Sequence, residues 1–257
     1  MPPRGEDVVR SVVIALGGPS ASGKTATTRA LSHRFGWVVV EEAYARLRPP
    51  PTLGFASQGK LVALELRLLE EETRRFREAL SLAREGRPVV VDTPFLDPVG
   101  YTAGLYVLRR ASPASLSAVL RRATSLAREG ALGLPDLTIR LAVPLASRRR
   151  RAAVDPTGHP RAFRARHEAV GAVETRLLEP WWRRSLPGRT RRVQATGTVA
   201  SVAARIDRLA RDLQPLRDPC GAAARALEAM PRLPELRPAF AASGNLKRGT
   251  LSPRPPR

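Results

Sequence analysis

The sequence predicts an α/β protein in three layers, a parallel five-stranded sheet flanked by helices. Three observations predict it. Strand-like and helix-like segments alternate from residue 8 to residue 213. Several strand segments are short β-branched apolar runs rather than alternating ones, as strands buried on both faces are. Two of those runs end in carboxylates, Glu41-Glu42 and Asp92. A parallel sheet brings such strand ends to one edge, where ligands bind.

Residues 8–16 (VVRSVVIAL) read as the first strand. The octet after it, Gly18-Pro-Ser20-Ala21-Ser22-Gly23-Lys24-Thr25, satisfies G-x-x-x-x-G-K-[ST] at every fixed position. That spacing makes a loop whose backbone N–H groups point inward at a β-phosphate. Lys24 adds a compact cation at the β- and γ-phosphates, and the Thr25 hydroxyl suits a Mg²⁺ ligand. The chain has three lysines, Lys24, Lys60 and Lys247, so one in this frame is informative. The strand, loop and helix together read as the nucleotide-binding entry of a P-loop NTPase fold.

The remaining elements follow in order. Thr25 to Phe35 is helical, with Ala30, Leu31 and Phe35 inward. Trp37-Val-Val-Val40 is a short strand, and residues 47–57 are a Pro/Gly-rich loop. From Gln58 to Glu85 apolar residues recur at helical spacing, with Gly86 as the stop. Pro88 to Asp92 is the third strand. Helices near 98–110 and 113–129 are parted by Ser112-Pro113. Residues 136–143 form the fourth strand, Pro144 opens a helix through Arg151, and 154–160 is a loop. A helix over 161–184, a strand over 191–195 and an amphipathic helix over 199–213 complete the domain, 1–213. Residues 214–257 are rich in proline and arginine and read as a disordered tail with a weak Ala-rich helical stretch at 221–230.

Composition narrows the function. Cys220 is the one cysteine, which excludes an internal disulfide framework and a cysteine-based zinc site and fits a reducing cytoplasm. No apolar run approaches the roughly 18 residues of a membrane span, and the N-terminal run, broken by Arg10, does not read as a signal peptide. The net charge of +21 is almost wholly arginine. It suits anionic substrates or nucleic acid, or it reflects arginine usage alone. The low aromatic content of 5% argues against a platform for single-stranded nucleic acid.

Three charged features join the phosphate loop at the sheet edge. Asp92 suits Mg²⁺, directly or through water, in preference to the alternative of capping the following helix. Glu41 or Glu42 can accept a proton from an acceptor hydroxyl, or ligate the metal. The run Arg148-Arg149-Arg150-Arg151 lies in a segment, 144–166, expected to act as a lid. Four consecutive residues surround a helix, so Arg148 and Arg151, which share a face, are the candidates to clamp a transferred phosphoryl group. His159 and His167 have no partner at metal-ligand spacing.

This order of motifs resembles the small-molecule kinases of the P-loop fold over residues 8–213. The segment Trp37 to Arg46 is similar to deoxynucleoside kinases, in which the glutamate matching Glu42 is the catalytic base and an arginine follows four residues on. Phe163 to Trp182 is similar to them as well. Asp92 is followed by Thr93-Pro94 rather than the Arg-Ser of that family. Glu42, Arg46, the helix from Gln58 and Asp92-Thr93 resemble nicotinamide riboside kinases, and the lid with Gln194-Ala-Thr-Gly197 resembles thymidylate kinases. The resemblance implies ATP and Mg²⁺ as cofactors, with Lys24, Glu42, Asp92, Arg148 and Arg151 catalytic. The acceptor, a nucleoside, nucleotide or similar small molecule, is framed by residues 42–60 and the Gln58 helix. A P-loop ATPase or regulatory protein acting with nucleic acid, and an antibiotic-type phosphotransferase, stay open, as does a homodimer.

Overall fold

The computed structural model describes residues 10–49, 57–153 and 161–244, with backbone alone at 161–164 and 242–244. Its sheet has five strands, β1 (Val13–Gly17), β2 (Val38–Val40), β3 (Val89–Asp92), β4 (Leu137–Ala142) and β5 (Thr190–Gln194). All pairs are parallel, in the order β2-β3-β1-β4-β5, with Ile14 opposite both Val90 and Leu137. The expected five-stranded α/β architecture is therefore present, with the strand that leads into the phosphate loop at its centre.

Residue alternation divides the core between the two faces. Val13, Ala15, Val89 and Val91 face one side, under α3 (Gln58–Arg84), α4 (Asp97–Val107) and α5 (Pro113–Arg128). Ile14, Leu16, Val90 and Ile139 face the other, under Leu31 of α1 (Lys24–Phe35) and Val202 and Ile206 of α9 (Val199–Arg211). Continuous apolar strands are what such two-sided burial requires, since every residue meets a helix layer. The four-residue α2 (Ala43–Arg46) follows β2.

Between β4 and β5 the chain crosses the carboxyl edge as α6 (Leu145–Ala153), α7 (Arg161–Val173) and α8 (Glu179–Ser185). The expected continuous helix over 161–184 contains a π-helical turn at Glu174–Leu178, closed by Glu179 N–H donating to the Glu174 carbonyl. Pro180 explains it: proline lacks the N–H that the carbonyl of Arg176 would receive, and its ring crowds that turn. The expected loop 154–160 lies outside the described residues.

The reading of 214–257 as a disordered tail needs correction. Residues Pro219–Ala229 form α10, a 3₁₀ turn follows at Met230–Arg232, and α11 spans Arg237–Gly244. Asp218 caps α10 through its side chain, accepting from Gly221 N–H at 2.7 Å. Ala223, Leu227, Met230, Leu236 and Ala239 are fully buried against α5 in the same core as β3. Alanine makes this face thin but close-fitting, and a Cβ at Gly133 would strike the Phe76 ring and the Pro219 backbone. Residues 245–257 lie outside the described residues.

At the amino edge of the sheet, fully buried Asp136 accepts two hydrogen bonds from Arg10 at 2.7 Å. It also accepts one each from the N–H groups of Val13 and Leu216. This carboxylate ties the lead-in of β1 to the segment that carries α10. Among the described residues no helix is long and apolar enough to cross a membrane.

Candidate active site

The phosphate loop runs from Gly18 to Thr25 at the carboxyl end of β1. Its conformation depends on glycine at two positions. Gly18 has φ of +138°, and a Cβ there would lie 2.9 Å from the Leu141 carbonyl oxygen. Gly23 has φ of +94° where α1 begins. Loop residue Ala21 also adopts a left-handed φ, of +59°. Lys24 Nζ donates to the Gly18 carbonyl at 3.0 Å, so the ammonium lies across the loop mouth. Ser22 is buried and its hydroxyl has no partner within the protein; Ser20 lines the adjoining cavity.

The structure brings Thr25 and Asp92 together, with Thr25 Oγ1 donating to Asp92 Oδ2 at 2.8 Å. The carboxylate is 5% exposed and its other oxygen, Oδ1, has no partner. A buried, half-satisfied carboxylate beside a hydroxyl fits a hard divalent cation completed by water and phosphate oxygens. Asp92 does not cap α4; Leu96 occupies that position.

Behind this pair stands Arg75, which the sequence reading overlooked. It is fully buried. Its Nε donates to the Glu41 carbonyl at 2.6 Å, and its Nη2 to the carbonyls of Asp92 at 2.6 Å and Thr93 at 3.4 Å. It pairs with Glu72 and lies 5.7 Å from the Phe95 ring centre. One guanidinium thus joins the ends of β2 and β3 to α3. It also holds Thr93, whose φ of +71° places a β-branched residue in the left-handed region.

A cavity of about 420 Å³ opens directly from the loop. Gly18, Ser20 and Lys24 form one end, and Glu42 and Tyr44 one side. Leu64, Glu65, Leu68 and Glu72 of α3 form the floor. Asp97 and Tyr101 of α4 and Arg166, His167 and Glu174 above complete it. Tyr101 and His167 stack at 5.1 Å. Burial pushes the Glu72 carboxyl up to about 8 against the pull of Arg75. Asp97 is exposed at the cavity mouth; desolvation and the charge of Glu174 push its carboxyl upward, with Lys24 and Arg140 opposing. Glu65 is raised well above its ordinary range by burial and by Asp97. Tyr101 is pushed up to about 12, chiefly by burial.

The predicted residues separate into those that converge and those that do not. Lys24, Glu42, Thr25 and Asp92 lie at the loop and the cavity. Arg151 reaches the loop from behind, donating to the Ser22 carbonyl at 3.2 Å and the Ala195 carbonyl at 3.3 Å. Arg148 diverges from it and lines a separate cleft with Arg140, Arg176 and Arg192. Arg46 turns from the cavity to Glu78, at 2.6 and 3.1 Å. Gln58 accepts from Ser112 N–H and Ser115 Oγ at the start of α5, while later turns of its helix form the cavity floor. The side chains of Arg161 and Arg164, and His159 altogether, lie outside the described residues. Glu65, Glu72 and Arg75 had a sequence signal: charged residues in the apolar stripe of Leu61, Leu68 and Phe76.

A parallel sheet ordered 2-3-1-4-5, with this loop after its central strand, is a P-loop fold. The family model AAA_28, an AAA domain, matches residues 12–125. Deoxyadenosine kinase from M. mycoides with bound dATP superposes with a TM-score of 0.61 at 14% identity, covering 76% of this chain and 97% of that one. The same enzyme with bound dCTP gives 0.57 at 13% identity over the same shares. Thymidylate kinase from Candida albicans gives 0.52 at 16% identity, covering 78% of this chain and 91% of that one. No curated protein sequence matches the chain. At these identities the likeness is one of fold.

Proposed function

We propose that the protein is an ATP-dependent phosphotransferase that moves the γ-phosphoryl group onto a hydroxyl of a small molecule. The observation that carries this reading is a shared space: Lys24 of the phosphate loop and Glu42 line one cavity large enough for a nucleoside-sized acceptor. A nucleotide whose β-phosphate sits in the loop would direct its γ-phosphate into that cavity.

In this reading the amides of residues 18–25 bind the β-phosphate, and Lys24 exchanges the Gly18 carbonyl for phosphate oxygens. Thr25 and Asp92 would hold Mg²⁺, which supplies charge neutralisation at the phosphates when bound. Glu42 takes the proton of the acceptor hydroxyl as its oxygen bonds to the γ-phosphorus and the bond to ADP breaks. Arg151 steadies the loop through the Ser22 carbonyl, and Arg148 reaches the phosphates only if α6 moves. That helix has no buried residue among its nine, as suits a lid that excludes water on closing.

The test is coupled ADP release with a panel of hydroxyl acceptors. Lys24→Ala should lower kcat/KM by about 10²–10³-fold, and Glu42→Gln should lower kcat by about 10²–10⁴-fold with ATP affinity retained. Wild-type rates in Lys24→Ala would overturn the reading. ADP release that ignores every acceptor would favour an ATPase instead.

A further inference from the structure

Acidic residues are the minority in this chain, 23 against 44 lysines and arginines, yet five carboxylates line the acceptor cavity. They are Glu42, Glu65, Glu72, Asp97 and Glu174. The cations on the same wall are Lys24, which belongs to the phosphate loop, and Arg166, which is hydrogen-bonded to Tyr101. Arg75 and Arg140 stand behind the wall at Glu72 and Glu174. Glu65, Glu72 and Asp97 thus share one wall, with Arg75 paired to Glu72 and the charges of Lys24 and Arg140 felt at Asp97.

Glu65 is the second, independent observation. It is 2% exposed, it lines the cavity, and its Oε2 has no partner among the described residues. Burying a carboxylate oxygen without a partner is costly, and folding alone does not require it at a position flanked on the helix face by Leu61 and Leu69. Among the described residues no three such groups approach closely enough to hold a metal ion, so the acids suit an extended organic cation. Tyr44 and Tyr101 also line the cavity, and aromatic rings attract cations.

We propose that the phosphoryl acceptor is a cationic amino alcohol, a molecule of roughly nucleoside or aminosugar size whose ammonium group docks among Glu65, Glu72 and Asp97 while a hydroxyl faces Glu42 and Lys24. The proposal rests on the phosphotransferase reading and narrows its substrate class. It disfavours nucleoside monophosphates, whose phosphate would meet the carboxylates. Burial, with repulsion from Asp97, favours protonation of Glu65 and Glu72 in the free protein. An arriving cation draws them to ionise, so binding releases protons. Charge from Glu174, Glu42, Lys24 and Arg140 also acts on Asp97, and Arg75 and Glu71 act on Glu72.

Calorimetry on the full chain tests this with glucosamine and 2-deoxystreptamine as cationic probes, N-acetylglucosamine as the neutral counterpart, and thymidine and dTMP as nucleoside probes. The amines should bind at least about tenfold more tightly than N-acetylglucosamine, with heats that vary with the buffer's ionisation enthalpy. Glu65→Gln and Asp97→Asn should each weaken glucosamine about tenfold or more, with ATP titrated into both variants as the check on folding. Tighter binding of thymidine or dTMP than of the amines overturns the proposal. So does an undiminished glucosamine affinity in both variants, or no amine binding at about 10 mM. ADP release is followed with the same probes. Phosphorylation of thymidine alone removes the cationic acceptor and leaves the phosphotransferase standing. Selective amine binding without ADP release for any probe removes the phosphotransferase and leaves the cationic site.

Discussion

Arg75 has more structural work than any other charged side chain of the site. Its three carbonyl acceptors belong to Glu41, Asp92 and Thr93, the residues that place Glu42 and the proposed metal ligand. Arg75→Met should destabilise the fold by about 3–5 kcal/mol, because buried carbonyls lose a charged donor and Glu72 loses its partner. Urea denaturation measures this, and a loss below about 1 kcal/mol would show that water replaces the guanidinium. The sequence made Lys24, Thr25 and Asp92 legible because a phosphate loop fixes residue type and spacing locally. The place of Arg75 in an apolar stripe signals burial, but it acts across 34 residues to Glu41 and 17 to Asp92, and no local pattern records those partners. Arg148 and Arg151 shared a face by counting, yet one meets the loop and the other a cleft, since long side chains diverge from a common stripe.

Strands and helices of the central sheet were legible because each is a strong pattern: β-branched runs, or leucines at helical spacing. Of the C-terminal helices only a weak Ala-rich stretch at 221–230, within the region of α10, was legible, because alanine contributes little to an apolar signal and the surrounding prolines and arginines dominate composition. Packing inverts that judgement. Leu227 is fully buried in the same core as Val91 and Phe95, and Leu227→Ala should cost about 2–5 kcal/mol. Truncation after Leu213 removes α10 and α11 and uncovers α5, so the shortened chain should lose cooperative thermal unfolding in calorimetry. A truncated chain that melts like the whole would show these helices to be an appendage. The π-helical turn was hidden for another reason. Pro180 is visible in the sequence, but a kink and a π-turn answer its missing N–H equally well, and tertiary contacts choose between them. Here the turn presents Glu174 to Arg140 at 3.1 Å and to the acceptor cavity.

For the molecule as a whole, charge is distributed unevenly: an arginine-rich chain encloses a cavity of acids. The sequence reading weighed the +21 as a single quantity, and topology alone collects five carboxylates from β2, α3, α4 and the π-turn. Stability should depend on pH accordingly. Burial raises Glu72 from an ordinary value of 4.5 to about 8. Between those limits the native state binds more protons than the unfolded chain, so stability falls as pH rises from about 5 to about 8. The melting temperature should be higher at pH 5.5 than at pH 8 (both about), and a flat profile would show that Glu72 is already ionised at neutrality. One further consequence lies at the opposite rim. Asp136 rivets the lead-in strand and the start of the terminal helices in a single buried knot, whereas α6 at the ligand rim is anchored by no interior residue. The interior thus secures the far rim more firmly than the rim beside the phosphate loop.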